Sequence, residues 1–264
     1  MGGLAHKEMR VRERPLIARK LVFAHIAEAL RQGSLQFQAL PFCSIAYASV
    51  FVLLGLVLHT VMVMLGLSPM VLPLAGGFML LGPVLLSGYF ELALRYEQGR
   101  PGTLGGAFTG FFGAPSALWS VALVCALLFL IWITDAGTLY SFTLGGAHYG
   151  SDLGWLVESG QQVLYFELWS ALMGAVLAYM IFVVSAFSVP LLYERRCGLV
   201  RAISASARAV LGNFLVTLAW GLLLGILTIS SVLLLPVLLV SLPVMAYASF
   251  SLYRKAFPVA QESA

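Results

Sequence analysis

Residues 32–90 read QGSLQFQALPFCSIAYASVFVLLGLVLHTV (32–61) and then MVMLGLSPMVLPLAGGFMLLGPVLLSGYF (62–90). None of these 59 residues is Asp, Glu, Lys or Arg. One membrane-spanning helix needs about 20 apolar residues, so a run of this length has room for two. Gly66-Leu67-Ser68-Pro69, near its middle, supplies the turn chemistry that divides it. The pattern predicts a first span over 40–65 and a second over 70–95. A second charge-free run, residues 209–253, covers 45 positions. Ser230-Ser231 is the turn expected there, giving a fifth span over 211–228 and a sixth over 232–253. Between the runs lie a third span over 115–134, a glycine-rich segment over 135–163, and a fourth span over 164–193.

The whole chain agrees with its longest run. Of 264 residues, 61% are hydrophobic and only 10% charged, with a mean hydropathy of +0.96. Soluble domains carry about 25% charged residues. A soluble enzyme, a disordered tail, a secreted disulfide scaffold and a DNA-binding domain are thereby disfavoured, and no nucleic-acid partner is expected. Cys43, Cys125 and Cys197 lie in or beside apolar segments, at neither disulfide-framework nor metal-ligand spacing. The N-terminal stretch spreads its basic residues over 7–31, with no short apolar core and cleavage site, so a secretory signal is not expected.

Lys and Arg set the orientation. Seven precede the first span, and the rest follow the second (Arg95, Arg100), the fourth (Arg195, Arg196, Arg201, Arg208) and the sixth (Arg254, Lys255). The other side carries only the acids Asp135, Asp152, Glu158 and Glu167. Basic loops are retained in the cytoplasm, so both termini are expected there. Trp119, Trp132 and Trp169 fall near span ends, where indoles anchor helices at the interface.

A repeat is visible beneath the hydropathy. Short amphipathic stretches at 27–33, 104–112 and 199–208 lead through Pro41, Pro115 and Asn213 into the odd-numbered spans. The even-numbered spans close on Arg95-Tyr96-Glu97, Tyr193-Glu194-Arg195 and Tyr253-Arg254-Lys255. The expected fold is all-α: a polytopic six-helix membrane bundle of three parallel hairpins, with interfacial helices on the cytoplasmic side. Leu16, Ile17, Leu21, Val22, His25 and Ile26 recur at helical spacing and place an amphipathic helix in the N-terminal segment. The domain plan is a basic N-terminal segment over 1–38, a transmembrane domain over 39–255 and a tail over 256–264.

Candidate binding residues gather at the cytoplasmic rim. Glu91 and Arg95 are four apart on one helix face, and Glu97 with Arg100 reads similarly. Tyr193, Glu194, Arg195 and Arg196 close the fourth span, followed by Arg201 and Arg208. Such a rim suits phospholipid headgroups or an acidic partner; it also suits plain ion pairing and the retention of basic loops. His59 is the single metal-ligand candidate within a span. Met62, Met64 and Met70 lie nearby and His148 falls in the outer loop, but thioethers in a span usually fill apolar space. No cofactor, catalytic constellation or mid-depth charge is read, so an enzyme is not expected.

Glu28-Ala29-Leu30-Arg31-Gln32-Gly33, Pro41 and Ser44-Ile45-Ala46-Tyr47 carry a resemblance, joined by Gly88-Tyr89-Phe90-Glu91-Leu92-Ala93 and Glu97-Gln98-Gly99. Pro190-Leu191-Leu192-Tyr193-Glu194-Arg195 with Ala202 and Ser204 extends it. Over about residues 25–255 the chain resembles the uncharacterised bacterial integral-membrane family called domain of unknown function 2189. Members commonly have Trp and an acid after the Gly33 position, where this chain has Ser34 and Gln36. The resemblance implies six spans in a bacterial cytoplasmic membrane and supplies no activity. The expected role is a non-enzymatic scaffold, assembly factor or accessory subunit. Its partners would be the bilayer, anionic lipid headgroups, and another membrane protein or a second copy. A small-molecule or lipid transporter or channel is the alternative, and a haem- or metal-associated redox subunit a third.

Overall fold

A computed structural model describes residues 16–74, 86–145 and 161–259. Among these residues the chain is all-helical, with ten α-helices. In order they are α1 (Phe23–Ala39), α2 (Pro41–Met64), α3 (Ser87–Glu97), α4 (Leu104–Phe112), α5 (Ser116–Leu144), α6 (Gln161–Ser185), α7 (Ser188–Tyr193), α8 (Leu199–Gly212), α9 (Phe214–Leu233) and α10 (Leu235–Ala256). Five stretches are long and apolar enough to cross a membrane: Pro41–Met64, Ser116–Leu144, Gln161–Tyr193, Phe214–Ser231 and Pro236–Ala256. The expected second span runs partly through 75–85, outside the described residues. Pro83, Gly76-Gly77, His148, Asp152 and Glu158 lie outside them too.

Each break between a short helix and the long helix after it has a chemical cause. Pro41 opens α2 at the first turn, where its missing N–H costs no helical bond. Pro115 precedes α5, and Asn213 with φ −123° separates α8 from α9. The stretches 27–33, 104–112 and 199–208 are thus helical, and each leads through a break into a long apolar helix.

Elsewhere the structure departs from the sequence reading. Residues 16–22 are not helical. Val22 is extended, with φ −127° and ψ 158°, and α1 begins only at Phe23. Backbone bonds to other elements explain this: Leu21 N–H donates to Asn213 Oδ1 at 2.7 Å, and Arg19 N–H donates to the Ala256 carbonyl at 2.9 Å. Helix α1 packs against another helix. Its small face, Ala29 and Gly33, packs on α10 so closely that a Cβ on Gly33 would lie 2.5 Å from the Val244 carbonyl oxygen.

The third span does not stop at 134, since α5 continues through Asp135 to Leu144. Trp132 is not an interface anchor: it is buried, and its indole N–H donates to the Pro73 carbonyl at 2.8 Å. The fourth span is interrupted at Ala186-Phe187, four and three residues before Pro190, as a proline within a helical run requires. The freed Phe187 N–H donates to Ser206 Oγ at 3.2 Å, and that hydroxyl donates onward to the Val183 carbonyl at 2.9 Å. Ser230-Ser231 is not the last turn either. Both residues stay in α9, and Ser231 bonds its own Leu227 carbonyl and the Ser241 hydroxyl. The chain turns instead at Leu234, just before Pro236 in the first turn of α10.

Without a transfer gain between lipid and a lipid-like core, membrane helices associate through close packing and polar contacts. Two packed regions result. The larger gathers Tyr47, Tyr89, Phe90, Leu191, Tyr247, Phe250 and Tyr253 with many neighbours. The smaller, at the other end, contains Met70, Ala136, Tyr140, Leu144, Val163 and Phe166. Within the spanning windows, 22% of residues are buried on α2, α5 and α9, against 44% for the fourth-span window and 50% on α10. Helices α2, α5 and α9 therefore show most of their surface outward.

Candidate functional site at the charged end of the bundle

The site is built on buried tyrosines. Tyr47 of α2, Tyr89 of α3 and Tyr247 of α10 meet edge to face, with centroid separations of 5.0 and 5.6 Å. Ser44 bonds the Tyr247 hydroxyl at 2.7 Å, and Tyr89 donates to the Ser44 carbonyl at 3.2 Å. Gly88 makes room for this arrangement, because a Cβ there would fall 2.6 Å from Tyr47 Cζ. Helices from separate parts of the chain are thereby set at fixed height, and their charged ends meet.

Glu91 and Arg95 pair along α3 as their spacing predicts, at 2.8 Å. Tyr193, at the end of α7, donates to the other Glu91 oxygen at 2.9 Å. The pair lies against Gly106 and Gly110 of α4. A Cβ on Gly106 would be 2.9 Å from Arg95 Cζ, and one on Gly110 only 2.5 Å from Glu91 Cβ. Four-residue glycine spacing of this kind lets helices approach closely.

A second group adjoins it. Arg254, at the end of α10, grips Glu97 at 2.7 Å and Glu194 at 2.7 Å. Tyr253 donates to Glu194. Arg196 donates to the Tyr253 hydroxyl at 2.9 Å and to the Phe257 and Pro258 carbonyls at 2.7 and 3.1 Å. The Arg254 guanidinium lies over the Phe250 ring, 4.9 Å from its centroid. The Glu194 side chain keeps only 10% of its exposure. Three carboxylates (Glu91, Glu97, Glu194) thus face three guanidiniums (Arg95, Arg196, Arg254), and the whole is neutral.

Six of the nine rim residues selected from sequence enter this cluster: Glu91, Arg95, Glu97, Tyr193, Glu194 and Arg196. Glu97 takes Arg254 as its partner rather than Arg100, whose guanidinium bonds Gln98. Arg195 stands apart and exposed. Its φ of 54° places it in the left-handed region that closes α7. Its N–H donates to the Leu192 carbonyl and that of Arg196 to the Leu191 carbonyl, the paired bonds of a Schellman end. The reversal aims Arg195 outward and Arg196 inward. Arg201 and Arg208 lie on α8, beside a groove lined by Leu16, Ile17, Ala18 and Ala205.

Sequence reading left Tyr253 and Arg254 out of the site, although the aromatic–charge closure repeated at 96–97, 193–194 and 253–254 was the signal for them. Among the described residues, no ligand set gathers at His59. This histidine is exposed on α2, while Met62 and Met70 pack into the smaller apolar cluster. Among the described residues, no three His, Cys, Asp or Glu side chains group as a metal site requires. Glu167 on α6 has one buried carboxylate oxygen without a hydrogen-bond partner, as do the Ser87, Ser170 and Ser185 hydroxyls.

Comparison with known families confirms the resemblance in part of the chain. The family model described as a predicted integral membrane protein, DUF2189, matches residues 71–194. The match includes Glu91, Arg95, Glu97, Tyr193 and Glu194, while Arg196, Tyr253 and Arg254 lie beyond it. No curated protein and no solved structure matches the chain.

Proposed function

We propose that this integral membrane chain is a non-enzymatic scaffold or accessory subunit, built of six spans in three parallel hairpins. One observation carries the reading: at the charged end Glu91 is bound by Arg95 and Tyr193, and Glu97 and Glu194 by Arg254 beside Arg196, in two adjoining groups that are each neutral. Glu91 and Glu194 have their acceptor positions filled by Arg95, Tyr193, Tyr253 and Arg254. Such a cluster clasps helix ends and offers no unpaired acid or base. What remains for outside contact is apolar flank on α2, α5 and α9 together with the exposed Arg195 and Arg208 at the same end. Helices α1, α4 and α8, read as interfacial, and both termini are assigned to the cytoplasmic side of a bacterial inner membrane, because in the sequence every Lys and Arg falls in the segments before the first span or after the even-numbered ones.

Two experiments test this. Reporter fusions should be extracytoplasmic at Gly145 and cytoplasmic at Gly198 and Ala264; the reverse pattern overturns the topology. Purification in mild detergent should retain a second membrane protein or a further copy of the chain, and a solitary particle overturns the scaffold assignment. A small-molecule or lipid transporter draws on a different observation, the unpartnered hydroxyls of Ser87, Ser170 and Ser185 inside the helices. Cysteines placed at 170 and 185 that resist aqueous thiol reagents would remove that reading.

A further inference from the structure

The clasp leaves α8 with a basic face of its own. Arg201 and Arg208 are seven residues apart, two helical turns or about 10.5 Å along the axis, so they share one face. Ala205 lies between them and is almost fully buried. Across from α8 runs the non-helical segment Leu16, Ile17 and Ala18, and together these six residues line a groove of about 510 Å³. That is within the ordinary range of small-ligand sites. The segment that carries the far wall is anchored just beyond it, by Leu21 N–H to Asn213 Oδ1 and Arg19 N–H to the Ala256 carbonyl.

We propose that this groove binds the headgroup of an anionic phospholipid, with Arg201 and Arg208 on the phosphate and Ile17 against the start of an acyl chain. Guanidinium forks match phosphate oxygens in geometry as well as charge. An amphiphile is favoured over free phosphate by the apolar surface around the cations: Ile17 is 74% exposed, Val200 76%, Leu211 58% and Leu215 69%. That surface continues from α8 onto the spanning helix α9, so an acyl chain leaving the groove meets the membrane directly. Basic residues beside exposed apolar area at a membrane surface are the pattern that anionic lipids recognise. The site is separate from the clasp, which uses Arg95, Arg196 and Arg254.

The test uses the full chain in neutral detergent, with bound lipid counted by native mass spectrometry during titration with phosphatidylglycerol or phosphatidylcholine. Phosphatidylglycerol should bind at least about ten-fold more tightly. Each arginine near a membrane surface contributes about five-fold, so Arg201→Gln with Arg208→Gln should weaken phosphatidylglycerol binding about 25-fold. Arg208 is exposed, and Arg208→Gln alone should fold normally and still lose about five-fold. Ile17→Ser, on an exposed wall, should lose several-fold. Arg195→Gln, at the same end but outside the groove, should change binding by less than about two-fold. Equal affinity for the two lipids, or equal loss in Arg195→Gln, overturns the assignment. Competition by millimolar inorganic phosphate together with no effect of Ile17→Ser makes the ligand free phosphate and overturns it as well.

Discussion

Where α3, α7 and α10 end, three carboxylates, three guanidiniums and two tyrosine hydroxyls are bonded in two adjoining groups. Where α5 and α6 meet at the far end, the packed groups are Met70, Ala136, Leu144 and Val163, with Tyr140 and Phe166 edge to face at 5.6 Å. Both ends are buried, yet they are not held alike. In a bilayer, an apolar cluster gives up contact with lipid tails that are as apolar as itself, so its gain is mainly packing. The charged end has directional bonds that fix helix height and rotation as well. Specificity is therefore concentrated at one end, and substitutions should cost most there.

The largest effect is expected at Gly33. A Cβ on this residue would meet the Val244 carbonyl oxygen at 2.5 Å and the Ala248 nitrogen at 2.8 Å, both backbone atoms that cannot rotate away. Gly33→Val must push α1 off α10, and overpacking of this kind costs about 3 kcal/mol or more. Thermal or denaturant unfolding of the purified protein measures it. Gly137 on α5 is the matched control, since nothing lies within 4 Å of its Cβ position. Gly137→Ala should be neutral, or stabilising by up to about 1 kcal/mol through helix propensity. Equal losses at both glycines would erase the distinction between the two ends.

Glu194→Ala comes next. It strips Arg254 of one carboxylate, leaves the Tyr253 hydroxyl without its acceptor and removes the carboxylate 3.9 Å from Arg196. Removing one partner of a mostly buried charged network costs about 2–3 kcal/mol. The same unfolding measurement applies. A change below about 0.5 kcal/mol would place Glu194 among ordinary surface ion pairs and weaken the idea of a clasp.

The elements most legible in the sequence were those dictated by local chemistry. Charge-free runs marked α2, α9 and α10, and Pro41, Pro115 and Asn213 marked where short helices give way to long ones. Misreadings occurred where a distant partner decided the outcome. Residues 16–22 have helical periodicity, but Asn213 and Ala256 draw their backbone into another path. Ser230-Ser231 looks like a turn until Ser241 supplies a partner inside the helix pair. Trp132 has an interface residue's position, yet the Pro73 carbonyl lets it be buried. At the charged end, four-residue spacing was enough to find Glu91 with Arg95. The Glu97–Arg254 bond joins residues 157 positions apart, a distance over which no local pattern operates.

The smallest effect is also the most diagnostic. Ser170 on α6 is 3% exposed, and its hydroxyl has no hydrogen-bond partner. A buried hydroxyl without a partner bears a desolvation cost and returns nothing for it, so Ser170→Ala should be neutral or stabilising by about 0.5–1 kcal/mol. Ser44→Ala should behave oppositely. It leaves the Tyr247 hydroxyl without its 2.7 Å partner, at a cost of about 1 kcal/mol. The two substitutions delete the same atom from the same residue type, so propensity and volume largely cancel between them. A difference in sign would locate polar specificity at the charged end. A loss of more than about 1 kcal/mol at Ser170 would mean that its hydroxyl contacts something polar within the bundle. The α6 interior would then be a polar seam, and transport rather than scaffolding would become the better account of the fold.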